Sequence, residues 1–283
     1  MFIKNKWGIR SLIICATRGG LNDRLKFVIS IMRILEEKKL EENQMKLIWT
    51  VKENDVHLWC RFSDLFKNKF IEYSYPSRCF KENSSHIFYQ GTQFVRIKRS
   101  DIQLNHRRFD KIDIPQRQKD SILRQINKLE PIDYIKNKVD EFKSKFCNNT
   151  VTVSVRSFLD ADRNYKSNGK YFELNKVFKK MDQRLNENTF YFNNTKFFVT
   201  CDHQDTFEKI LKRYGDRIIY TPKRTYFGDY KTLEGIQDCV IDLLLGGHNM
   251  EILATRGSSF CDMQWWFGGG KSIIKHIEAH RNL

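Results

Sequence analysis

Short continuous apolar runs and stretches of helical periodicity take turns along this chain. Residues 11–17 (SLIICAT) and 45–51 (MKLIWTV) have the first texture, and between them Leu25, Val28, Ile29, Met32 and Leu35 recur at helical spacing. Together they predict an opening β-α-β unit. The strand-to-helix junction carries two adjacent glycines, Gly19 and Gly20. A junction of that kind presents backbone N–H groups and the positive end of a helix dipole, which attract phosphate or another anion. The same glycines also suit a plain tight turn.

The following stretch is less regular. Residues 55–66 (DVHLWCRFSDLF) predict a helix, 69–75 (KFIEYSY) and 86–97 (HIFYQGTQFVRI) predict strands, and the basic stretch 98–117 reads as loop. Helical texture returns over 116–146 with a break at Pro131. The boundary between two domains is placed there, giving 1–130 and 131–283. The second half then alternates strictly. Strands are predicted at VTVSVR, KFFVTCD, DRIIYTP and MEILAT, and helices at YFELNKVFKKMDQRL, QDTFEKILKRYG, TLEGIQDCVIDLLLGG and SFCDMQWWFGG. That rhythm predicts a parallel sheet with helices on its faces. The fold class is therefore α/β, two Rossmann-like domains facing across a cleft, with ligands at the carboxyl ends of the strands.

Composition narrows the class of protein. A length of 283 residues fits two domains of ordinary size, and 40% hydrophobic residues with four prolines describe an ordered chain. The formal charge of +16 attracts an anionic partner, and nucleic acid, an anionic membrane surface and a nucleotide diphosphate all meet that description. The basic residues are spread along the chain, which reads as a solvated basic surface. Seven scattered cysteines without a CxxC pair are read as reduced thiols in a cytoplasmic protein, with no zinc site. The apolar runs are too short to span a bilayer, and the first twenty residues do not read as a secretory signal.

Strand ends are where chemistry is expected. They carry 18–24, 156–163, Asp202 with His203, 222–226 and 256–260, a set containing arginines, an Asp-His pair and a Gly-Ser-Ser turn. Arginine grips phosphate oxygens in bidentate fashion, and hydroxyls with backbone N–H groups at a helix start complete such a cradle. The pattern reads as a nucleotide or diphosphate pocket. A rival signal is the DxD of Asp160, Ala161 and Asp162, since carboxylate oxygens suit a divalent metal.

The order of these pieces resembles the metal-independent GT-B fucosyltransferases, the α1,2/α1,6/protein-O-fucosyltransferase superfamily that includes the nodulation enzymes. GGLNDR at 19–24 is similar to the family's GGLGNQ or GGLGNR loop, and SVRSFLD at 154–160 to its HxR segment. FFVTCDHQDTF stands where the family has SDD or TDD, and DLLLGGHNMEILATRGSSFCDMQWW where it has a DLxLLSxCxxxIxxxSSFSxWAA pattern. The resemblance covers the first forty or so residues and most of the second half.

It implies an inverting sugar transferase that uses no metal or other cofactor, with GDP-fucose the favoured donor and another nucleotide sugar the alternative. Arg156, with Ser258, Ser259 and the N–H of Phe260, is expected to hold the diphosphate. Gly19, Gly20 and Asn22 are expected to line the donor site, and Asp202 to touch the nucleotide base. Asp23 and Asp160 are the candidates for the base that takes the acceptor proton. The acceptor, a glycan or glycolipid, is assigned to the N-terminal domain and the donor to the C-terminal one. Peripheral membrane contact fits the basic surface, and nucleic acid is not expected as a partner. Two departures bear on the donor and the base: Ser154 stands in place of the family's His, and Asp23 in place of its Asn. A basic, non-catalytic nucleic-acid-binding protein and a degenerate, glycan-binding relative are the readings from other classes.

Overall fold

The computed structural model describes residues 11–15, 20–39, 45–49, 60–69, 71–73, 86–90, 114–157, 170–171, 174–187, 194–277 and 280–281. In chain order the elements are β1 (Ser11–Cys15), α1 (Leu21–Lys38), β2 (Met45–Ile48), β3 (Phe66–Lys67), β4 (Ile71–Tyr73), β5 (His86–Gln90), α2 (Gln116–Ile126), β6 (Glu130–Pro131) and α3 (Asp133–Lys143). They continue with β7 (Thr150–Val155), β8 (Lys170–Tyr171), α4 (Leu174–Asn186), β9 (Lys196–Cys201), α5 (Gln204–Tyr214), β10 (Ile218–Ile219), α6 (Leu233–Gly246), β11 (Glu251–Thr255), α7 (Ser259–Phe267), β12 (Ile273–Ile277) and β13 (His280–Arg281). The chain divides into two compact units, Met1–Ile135 with Tyr230–Gln237, and Lys136–Asp229 with Asp238–Leu283.

The first unit holds a parallel sheet in the order β4-β2-β1-β5. Helix α1 is buried on nearly every side: Leu25, Val28, Ile29, Met32 and Leu35 are at most 3% exposed, and Arg24 and Lys26 are buried as well. Arg24 turns inward, where its Nη1 donates to the carbonyl of Trp49 at 2.6 Å and ties the helix to the end of β2. The helix predicted over 55–66 is not formed in its described part. Residues Phe62–Asp64 make a single 3-10 turn, closed because the Asp64 carboxylate accepts the Arg61 N–H at 2.7 Å, and the chain passes straight into β3.

The second unit holds a five-stranded sheet, all parallel, in the order β10-β9-β7-β11-β12. Counted along the chain, each sheet runs third, second, first, fourth, the doubly wound order. That order places a topological switch point at the carboxyl ends of the first and fourth strands, β7 and β11 in this unit.

Alternation along TVTVSV sorts the two faces. Val151, Val153 and Val155 join Phe197, Val199, Cys201 and Leu253 in one cluster with Val177 and Met181 of α4 and Phe207, Ile210 and Tyr214 of α5. The opposite face, with Thr152, Ser154, Thr200, Ile252 and Ala254, packs Ile252 and Ala254 against Cys261 and Trp265 of α7 and adds polar contacts to α6 and α7. Thr152 Oγ1 donates to the Gly246 carbonyl at 2.8 Å, and Gln264 Nε2 donates to Thr200 Oγ1 at 3.3 Å. The alternation of 151–269 appears as predicted, with three changes. Tyr171, expected to open a helix, lies instead in β8, which pairs antiparallel with β13, and α4 starts only at Leu174. β10 is only two residues long, and β12 continues the sheet beyond α7, where the sequence predicts nothing. Left-handed Gly269 and Gly270 (φ 78° and 64°) reverse the chain between α7 and β12. The turn is made in the backbone and leaves no hydrophobic rhythm to read.

The described cysteines Cys60, Cys147, Cys201, Cys239 and Cys261 are all free thiols. Burial pushes the Cys201 thiol up to about 12 and raises that of Cys261, whereas Cys147 is exposed. Since the thiolate is the reactive form, brief iodoacetamide treatment of the native protein should modify Cys147 and spare Cys201 and Cys261. Equal labelling of Cys261, read by mass spectrometry, would show that α7 is not seated on the sheet.

Candidate functional site

At the switch point, Thr255 at the end of β11 ties the two strand ends together. Its hydroxyl donates to the Ser154 carbonyl at 3.2 Å and accepts the Arg156 N–H at 3.1 Å. The Arg156 side chain leaves the sheet there and is 30% exposed, enough to meet a ligand. Its Nη1 donates to Asp202 Oδ2 at the end of β9. The other oxygen, Asp202 Oδ1, accepts the backbone N–H of Ser157 at 2.7 Å and its hydroxyl at 2.5 Å.

After β11 the chain turns through Arg256 and Gly257, where φ of 80° suits glycine, and enters α7. Ser258 is the N-cap residue with extended backbone, but its side chain makes no capping hydrogen bond. The first-turn N–H groups of α7, Phe260 among them, have no acceptor within the helix and point out of its positive end. Arg156, Asp202, Ser258, Ser259 and Phe260 are thus gathered at one end of one sheet.

Ser154, at the position of the family's His, faces inward. It is 1% exposed, and its hydroxyl accepts from Thr200 Oγ1 at 3.2 Å and from Cys261 Sγ at 3.2 Å. In this structure it seats α7 on the sheet. Asp202, expected at a nucleotide base, is engaged with Arg156 and Ser157.

The strand-end segment 222–226 brings a second set of charges to the same sheet end, whose carboxylate partners on α6, Asp238 and Asp242, the sequence pattern does not single out. Lys223 Nζ donates to Asp242 Oδ2 at 2.5 Å and to Thr221 Oγ1 at 2.7 Å, and Thr221 Oγ1 in turn bonds Asp242 Oδ1. Burial raises the Asp242 carboxyl above its usual range, opposed by Lys223 beside it. Arg224 donates from its backbone N–H and its Nε to Asp238, both at 2.8 Å. The signal available was the pair Asp238 and Asp242 on one face of a helix, after a Lys-Arg dipeptide at a strand end. The loop bearing that dipeptide is clamped down at Gly228 (φ 77°), where a Cβ would strike the Asp202 carbonyl, and by Phe227 stacked on Phe207 at 4.6 Å.

In the first unit, Gly20 is the N-cap of α1 with φ −75° and ψ 178°, a backbone that any residue adopts, and nothing lies within 4 Å of where its Cβ would be. No described protein atom therefore demands glycine at this position. Asn22 is buried, and its Oδ1 has no hydrogen-bond partner among the described residues. Asp23 lies in the first turn of α1, partly buried. Gly19 and Asp160, with the rest of the DxD, fall outside the described residues. Among the described residues, no group of three or more His, Cys, Asp or Glu side chains is placed to hold a metal ion, and no helix is long and apolar enough to cross a membrane.

The sequence matches no family model and no curated protein. The structure does find likenesses. NodZ alpha-1,6-fucosyltransferase soaked with GDP-fucose superposes with a TM-score of 0.57 at 12% identity, over 91% of this chain and 92% of that one. Fucosyltransferase NodZ from Bradyrhizobium gives the same score and identity over 90% and 92%. POFUT1 in complex with GDP-fucose gives 0.52 at 11% identity, over 98% of each chain. The fold is that of the GT-B fucosyltransferases. At such identities the likeness is one of fold.

Proposed function

We propose that this protein is an inverting, metal-independent fucosyltransferase that moves fucose from GDP-fucose to a hydroxyl of a glycan or glycolipid. The observation that carries the reading is Arg156, a partly exposed cation at the switch point of a doubly wound sheet, beside the positive end of α7. Two neighbours of this fold, NodZ and POFUT1, were solved with GDP-fucose.

In the reaction the bond between the anomeric carbon and the β-phosphate oxygen breaks, its electron pair leaving with GDP. The acceptor oxygen bonds to the opposite face of that carbon, and its proton passes to a base. Charge develops on the departing diphosphate, so donors already aimed there lower the barrier. Arg156 and the first-turn N–H groups of α7 supply that potential without a metal ion. Asp23 and Asp160 are the proposed acceptors of the proton, and Gly19, Gly20 and Asn22 are proposed to line the donor site. The acceptor side belongs to the N-terminal region, and the surplus of positive charge supports action at the cytoplasmic face of an anionic membrane bearing a lipid-linked acceptor. The inward turn of Ser154 favours one second reading, transfer from a nucleotide sugar with another base.

The test is release of nucleotide from a panel of GDP-, UDP-, ADP- and CMP-sugars in the presence of EDTA, followed by a glycan acceptor screen. The reading predicts slow GDP release from GDP-fucose that survives EDTA and speeds up with the right acceptor. Release from UDP-sugars alone, or only with added divalent metal, would replace it.

A further inference from the structure

Arg156 carries the proposed function, yet its guanidinium is already engaged by a carboxylate. One oxygen of Asp202 takes Arg156 Nη1, while the other takes both the N–H and the hydroxyl of Ser157, at 2.7 and 2.5 Å. A single carboxylate thus binds two consecutive residues just past β7. It is held firmly in turn: Gly228 packs on the Asp202 carbonyl with no room for a Cβ, and Phe227 behind it stacks on Phe207 of α5. Arg156 is the more open of the pair, its side chain 30% exposed against 16% for Asp202.

Resting on the nucleotide-sugar reading, we propose that Asp202 is a positioning and charge-setting residue for Arg156 rather than a contact to the nucleotide base. A guanidinium carries its N–H donors in one rigid plane, so an acceptor fixed on one edge sets where the others point. The same carboxylate puts a negative charge beside the place where a diphosphate has to sit. Orientation favours the reaction, and the charge holds down affinity for the anionic product. At a few ångström in a partly buried site, the Coulomb repulsion between unit charges exceeds the cost of ordering one arginine side chain. Removing the charge therefore tightens diphosphate binding even though the arginine is less well aimed.

The test compares wild type with Asp202→Asn, which keeps an oxygen acceptor for Ser157, by titration calorimetry with GDP and by steady-state turnover of GDP-fucose. The expected result is a GDP Kd about tenfold lower, with kcat reduced about tenfold and KM falling with it. A residue that merely supports the fold would weaken GDP binding and lower the melting temperature. Unchanged or weaker GDP binding by a folded Asp202→Asn protein overturns the proposal. Should that variant not fold, Ser157→Ala keeps the charge and loosens the carboxylate: turnover should fall severalfold with GDP affinity held within about twofold, and unaltered turnover overturns the proposal. If wild type binds no GDP, the nucleotide-sugar reading fails by itself. Inorganic pyrophosphate then replaces GDP in the same comparison. Tighter pyrophosphate binding by Asp202→Asn sustains the role of Asp202, and no binding by either protein overturns it.

Discussion

Arg156→Ala is expected to lower the rate of sugar transfer by at least about a thousandfold while leaving the protein folded. Removing one preorganised donor from a site of developing negative charge costs roughly a hundred- to a thousandfold, and Arg156 is a full charge with several donors. Its side chain is partly exposed, and the N–H that fixes its backbone to Thr255 survives the change. Asp202 keeps its two bonds to Ser157 in the variant. The melting temperature should therefore shift by no more than a few degrees. With the cation gone and Asp202 left at the site, GDP should fail to bind at concentrations that saturate wild type. Titration calorimetry and the rate of GDP release check both halves. Retained transfer would move the diphosphate away from the end of β7.

The second large effect concerns stability and lies away from the site. At Gly247 an added Cβ would come within 2.5 Å of the Gln264 carbonyl and 2.6 Å of the Gly268 nitrogen, and Gly268 faces the Gly247 carbonyl in the same way. Both obstacles are backbone, so no rotamer change relieves the clash. Forcing a methyl into a packed contact costs typically 1–3 kcal/mol, and Gly247→Ala is expected at the upper end, about 3 kcal/mol, a drop of several degrees in Tm. The contact also has a bearing on function. It seats α7 through Gln264, which reaches Thr200 Oγ1 and the Asp242 carbonyl, both at 3.3 Å. Loosening it tilts the N–H groups of Ser259 and Phe260. Thermal denaturation measures the first effect, and a raised KM for GDP-fucose at a temperature where the variant is still folded measures the second. A Gly247→Ala protein as stable as wild type would mean that α6 and α7 do not meet at their glycines.

Much of this arrangement was legible in the sequence because strand ends are local features. The run TVTVSV followed by Arg156, and the strand EILAT followed by Gly257 and Ser258, say where β7 and β11 stop and what stands there. What the sequence could not convey is how those ends are wired together. Ser154 reads as a departure from a histidine, and only the pleat shows its hydroxyl turned under α7 toward Thr200 and Cys261. Asp202 reads as the end of a strand, and its engagement with Arg156 spans 46 positions that no periodicity links. Lys223 and Asp242 are 19 positions apart on a loop and a helix, so their pairing needed the fold to become visible. The 3-10 turn Phe62–Asp64 was lost to helix prediction for a related reason. Phe62, Leu65 and Phe66 have helical spacing, but all are buried around a single turn that leads into β3.

The proposed function places a nucleoside diphosphate at the carboxyl ends of β7 and β11, against Arg156 and the start of α7. A crystal structure of the protein grown with millimolar GDP should then show phosphate oxygens within hydrogen-bond distance of the Arg156 guanidinium and the Phe260 N–H. Diphosphate density elsewhere in the molecule, with that strand end empty, would contradict it.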